Sequence, residues 1–134
     1  MAILNLTQHA ATPEQTAAGV IDLPEEAREA LVALLTFANL PTSDEVAARA
    51  ADIAELAASL ASAEDRDDGS VGFGSHAMIG GAPYLMAPLE HALREQGIEP
   101  VYAFSRRESI EERQPDGSVR KTAVFRHVGF VPAA

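Results

Sequence analysis

Cysteine is absent from the 134 residues, so neither a disulfide nor a thiolate-bound metal holds this fold together. Aromatic side chains are scarce, five Phe and two Tyr, and alanine supplies much of the 47% apolar share. That balance predicts close helix–sheet packing with few large anchors. No apolar run approaches the roughly 20 residues of a membrane span. The opening Met1-Ala2-Ile3-Leu4-Asn5 has no basic stretch leading into an apolar core, so no signal peptide and a cytoplasmic location are expected. Gly-x-Gly-x-x-Gly, Walker-type and Gly-x-Ser-x-Gly runs are also missing, which disfavours a dinucleotide or nucleoside triphosphate held through such loops. His76, His91 and His127 lack the helical spacing that proposes zinc. Asp65, Asp67 and Asp68 lack the spacing of a calcium loop. No metal and no cofactor is expected.

What charge there is carries mostly one sign. The net charge of −10 argues against a coat on duplex DNA. Its distribution says more. Residues 1–105 carry Arg28, Arg49, Arg66 and Arg94 against sixteen carboxylates, a net −12. Residues 106–134 carry Arg106, Arg107, Arg113, Arg120, Lys121 and Arg126 against four, a net +2. Guanidinium groups suit forked contacts with phosphate. The same cluster also fits an exposed β-hairpin with cross-strand charge pairs, and both readings stay open here.

The length suits one domain with a real core. Ala2–Leu6, with Asn5 at its centre, reads as a buried strand ending in Thr7-Gln8-His9. Thr12-Pro13-Glu14-Gln15 is a capping box that opens a short helix closed by Gly19. Val20–Leu23 predicts a second short strand, and Pro24-Glu25-Glu26 opens a helix with Ala27, Leu31, Leu34 and Leu35 on one face. A second capping box, Thr42 to Glu45, starts a helix with a stripe of Val46, Ala50, Ile53, Ala57 and Leu60. Residues 64–69 read as a solvated acidic loop.

The centre of the chain is Ser75–Pro83, an apolar run meeting Gly80-Gly81 before a segment with Leu85, Leu89 and Leu93 on one face. Pro88 means that this helix either begins near Ala87 or kinks. Gly97 ends it, and Val101–Ser105 reads as a strand. A hairpin follows over about 106–131, with Ser109–Arg113 facing Val119–Arg126 across Pro115-Asp116-Gly117. The expectation is a single Rossmann-like α/β domain: a mostly parallel central sheet, flanking helices and a C-terminal β-hairpin.

In such sheets ligands bind outside the carboxyl ends of the strands. Three strand ends carry polar or glycine-rich residues: Thr7-Gln8-His9, Gly80-Gly81-Ala82 and Ser105-Arg106-Arg107. On neighbouring strands they would converge on one rim, where amides and guanidiniums would receive a small anionic nucleotide. His9 is the titratable group there. Taken singly, the glycines also fit a tight turn, His9 a strand end and the arginines a solvated edge.

Ile3–His9 followed by Thr12–Gln15, and Met78–Pro83 followed by a helix and Gly97–Tyr102, resemble small CRISPR-associated proteins of the Csx type. These are related to CARF domains, Rossmann-like modules that bind cyclic oligoadenylates in antiviral defence, and some act as ring nucleases. The resemblance implies a first ligand loop at Thr7, Gln8 and His9 and a second at Gly80, Gly81 and Ala82. Arg106 has no counterpart in that pattern and enters on charge alone. Were the ring cleaved without metal, His9 would move a proton and Arg106 would stabilise the phosphorane. A symmetric cyclic ligand implies a homodimer. The other readings are a non-enzymatic acidic interaction protein, with Glu25, Glu26, Glu29, Asp44, Asp52 and Glu55 facing a basic partner, or a binder of another phosphorylated metabolite.

Overall fold

The computed structural model describes residues 2–68 and 76–133. The elements run β1 (Ile3–Leu6), α1 (Pro13–Ala17), β2 (Val20–Ile21), α2 (Glu25–Leu35), α3 (Ser43–Asp68), β3 (His76–Ile79), α4 (Pro83–Glu95), β4 (Glu99–Arg113) and β5 (Val119–Pro132). They form one five-stranded sheet in the order β2-β1-β3-β4-β5. The first four strands are parallel, with Leu4 beside Ala77 and Met78 beside Val101, and β5 closes the edge antiparallel to β4.

Alternation along the short strands splits the core in two. Leu4, Leu6, Ala77 and Ile79 point to one face and meet the stripes of α2, α3 and α4, where Leu31, Ile53, Leu85, Leu89 and Leu93 are fully buried. Burying each such side chain contributes about 1.5–3 kcal/mol. Ile3, Val20, Met78 and Val101 point the other way, under Ala11 and Phe130. Strands this short, buried on both faces, read in the sequence as apolar runs.

Both capping boxes start helices. Thr12 Oγ1 accepts from the Gln15 amide and Gln15 Oε1 from the Thr12 amide, each at 3.1 Å, while Thr42 Oγ1 accepts from the Glu45 amide at 3.1 Å.

Two expectations are corrected. The helix α3 does not stop before the acidic stretch 64–69 but continues through Asp68. An alanine-rich run without Gly or Pro propagates the helix. Gly69 and the run to Ser75, including the first part of the expected Val71–Ile79 strand, lie outside the described residues. Of the two readings that Pro88 leaves open, the start near Ala87 is ruled out, since α4 begins at Pro83 and carries Pro88 inside it. Pro83 sits in the first turn, where a missing amide costs nothing.

The second correction concerns the strand that was expected to end at Ser105. Instead β4 runs unbroken from Glu99 to Arg113, because pairing with β5 satisfies its backbone long after β3 has ended. A register shift between Phe104 and Ser105 marks where the ribbon leaves the sheet, as bulges do. The expected turn is present: Gly117 N–H donates to the Gln114 carbonyl (3.0 Å) and Asp116 Oδ1 accepts from the Ser118 amide (2.9 Å). Gly117 takes φ +87°, the left-handed residue that a three-residue hairpin loop needs.

Candidate functional site

From β1 the chain passes to β2 on one side, and from β3 to β4 on the other. Neighbouring parallel strands whose connections diverge leave a crevice at their carboxyl ends. A cavity of about 760 Å³ opens there, lined by Thr7–Ala10 after β1 and Gly80–Ala82 after β3, with Tyr102 and Ala103 of β4.

The first wall is shaped by one buried side chain, Asn5. Its Nδ2 donates to the His9 carbonyl (2.8 Å) and to Asp22 Oδ1 (2.7 Å). Its Oδ1 accepts from the Thr7 amide (3.0 Å) and the Thr7 hydroxyl (2.7 Å). That uses all four bonding positions of a carboxamide. Asp22 Oδ1 also accepts from the Ala11 amide (3.0 Å), so one asparagine and one aspartate fold Thr7–Ala11 into a fixed loop. The Thr7 hydroxyl is thereby committed to the protein. Gln8 and His9 are exposed and line the cavity.

The second wall is the turn into α4. Gly81 has φ +142°, a conformation that L side chains rarely adopt. A methyl group there would meet Met86 Cε at an ordinary 3.8 Å, so conformation and not space demands the glycine. No side chain caps α4, and Pro83 has no amide, which leaves Ala82 and Tyr84 holding the unsatisfied N–H groups of its first turn.

The remaining wall is aromatic. Phe37 and Tyr84 meet edge to face at 5.3 Å between ring centroids, and Tyr102 stands on the β4 side. Arg49 of α3 holds Phe37 from behind, its guanidinium 4.6 Å from the ring centre. Its Nη1 donates to the carbonyls of Leu34 (3.0 Å) and Thr36 (2.7 Å) at the end of α2, where a cation also suits the helix dipole. Tyr102 donates to Glu90 Oε2 (2.5 Å). Burial, then the hydrogen bond and charge of Glu90, push its phenol up to about 12. It therefore stays a neutral donor at physiological pH. A second hollow of about 550 Å³ shares Phe37 and Tyr84 and is lined by Leu40, Pro41, Val46 and Pro88.

Of the residues singled out in the sequence, Thr7, Gln8, His9, Gly80, Gly81 and Ala82 come together on this cavity. Ser105, Arg106 and Arg107 do not line it. The sheet body ends where Met78 pairs Val101, so the rim of β4 is Tyr102–Ala103, and Arg106 stands roughly 10 Å further along the strand. Among the described residues, no Lys, Arg, Asp or Glu lines the cavity. Its polarity comes from amides, Gln8, His9, Thr12, Gln15 and two phenols. Sequence reasoning missed Phe37, Tyr84, Tyr102 and Arg49, which lie far apart in the chain and carry no motif. Asn5 left a signal, a carboxamide in the middle of an apolar strand.

The chain is thus an α/β protein, with helices flanking a five-stranded mixed sheet and a cavity at the topological switch point of that sheet. The chain is a member of the Uncharacterized protein MJ1673 family, whose model matches residues 1–131. No curated protein and no solved structure matches it. No helix among the described residues is long and apolar enough to cross a membrane.

Proposed function

We propose that the cavity binds an adenine-nucleotide ligand, and that cyclic oligoadenylate, the ligand implied by the resemblance to CARF-related proteins, is the one it takes. The supporting observation is the joint lining of one switch-point cavity by the loop Thr7–His9, the turn Gly80–Ala82 and the rings of Phe37, Tyr84 and Tyr102. Adjacent parallel strands with divergent crossovers favour a Rossmann-like reading of the fold. Planar bases suit the aromatic wall, Gln8 and Gln15 can read a base edge, and a phosphate suits the amides at the start of α4.

Cleavage without metal follows the same geometry. The ribose 2′-hydroxyl attacks the adjacent phosphorus in line, His9 takes its proton, and the 5′-oxygen leaves with a proton from water, giving a 2′,3′-cyclic phosphate. Arg106 has no part in this step, being on the ribbon. Tyr84→Ala is expected to weaken binding of cyclic tetra-adenylate by about 1–3 kcal/mol, the value of one lost base stack. His9→Ala should keep binding and slow product formation about 10²-fold or more. Calorimetry and product chromatography read the two effects separately. Binding unaltered by Tyr84→Ala would remove the cavity as the site.

A further inference from the structure

From Ser105 paired with His127 to Arg113 paired with Val119, β4 and β5 have no third strand beside them among the described residues. The base of the ribbon is tied to α1, where the His127 amide donates to Glu14 Oε2 (3.2 Å). A two-stranded ribbon alone in water is marginally stable, yet this one keeps Phe125 at 70% and Val119 at 55% exposure. Directly paired residues share a face. One face therefore presents Arg107 beside Phe125, Ser109 beside Ala123, Glu111 beside Lys121 (an ion pair at 3.9 Å) and Arg113 beside Val119. The opposite face holds Arg126, which pairs with Glu108 (3.6 Å) and with Glu14 of α1 (3.8 Å). Among the described residues, Arg107 and Arg113 make no ion pair. Apart from the mutually neutralised Glu111 and Lys121, this face offers two arginines, a phenylalanine and a valine, and arginine and aromatic side chains are enriched in interface cores.

We infer that this face of the ribbon docks on the acidic outer side of α2 and α3 in a second copy of the chain. The partner's chemistry is set by charge. The ribbon segment 106–134 is net +2 on a molecule of net −10, and its free guanidiniums call for carboxylates. The exposed carboxylates of Glu25, Glu26 and Glu29 on α2 and of Asp44, Asp52 and Glu55 on α3 supply them. Asp44, Asp52 and Glu55 recur at helical spacing along one side of α3. Every copy owns one ribbon and one acidic side, so two reciprocal contacts close a two-fold dimer with no open end. The contact is independent of any ligand in the cavity.

Sedimentation of the full chain from micromolar to submillimolar concentration tests this, in low and high salt. The expected result is a species of twice the chain mass at low salt that dissociates as salt rises, because the pairing charges are screened. Phe125→Asp and the double change Arg107→Glu with Arg113→Glu are each expected to weaken it about tenfold or more, with circular dichroism unchanged because these side chains are exposed. The absence of cysteine allows a contact test. Chains carrying Ser109→Cys, mixed with chains carrying Ala48→Cys on α3, should form a disulfide across the two. A monomer at every concentration overturns the inference. So does a dimer that forms only Ser109→Cys to Ser109→Cys links, since ribbon would then be meeting ribbon.

Discussion

Asn5 shows how one polar side chain can shape a cavity wall from inside a core. Buried carboxamides are tolerated only when their donors and acceptors are met, and here the partners are the very loop that lines the cavity. Asn5→Ala leaves the Thr7 amide and Asp22 to find new partners. It is expected to lower stability by about 1–3 kcal/mol in urea unfolding, with the Thr7–Ala11 amides losing hydrogen-exchange protection first. Tyr102 makes a second prediction. Its folded pKa lies near 12, above the ordinary phenol value near 10. Between those values the unfolded chain loses a proton that the folded chain keeps, so stability present below pH 10 declines as pH rises towards 12. In Tyr102→Phe that part of the alkaline decline should vanish, as measured by thermal melts across the range.

The turn from β3 into α4 argues the element best. Its double glycine announces a tight turn in the sequence, and Gly81 supplies the reason in its φ of +142°. Gly81→Ala is expected to cost about 1–3 kcal/mol through backbone strain, and a melt of that variant equal to wild type would contradict it. The helical stripes and both capping boxes were readable because they are local, set by spacings of three and four residues. The end of α3 was not, because acids suggested a loop where alanine propensity extended the helix. The end of β4 was not, because a strand's length depends on its neighbour, and β5 follows in sequence only after the turn. That one misjudged boundary is what put Ser105, Arg106 and Arg107 on the rim.

Across the whole molecule, polarity is divided. The sheet and its helices carry the acid, the ribbon carries the base, and among the described residues the cavity between the ends of β1 and β3 is lined by neither. The glycine turn and the loop after β1 could be placed on one rim from the sequence, since adjacent parallel strands bring their carboxyl ends together. The aromatic wall could not, because Phe37, Tyr84 and Tyr102 meet only through packing of α2, α3 and α4 against the sheet. For the proposed ligand, a cavity lined by amides and rings would select by shape, stacking and hydrogen bonds, with fixed charge playing little part. The most direct test is an amide chemical-shift titration of the labelled chain with cyclic tetra-adenylate. Saturable shifts centred on Thr7–Ala10, Gly80–Tyr84 and Tyr102–Ala103 are predicted. A titration that moves no peaks, or moves only those of the ribbon, would contradict the account.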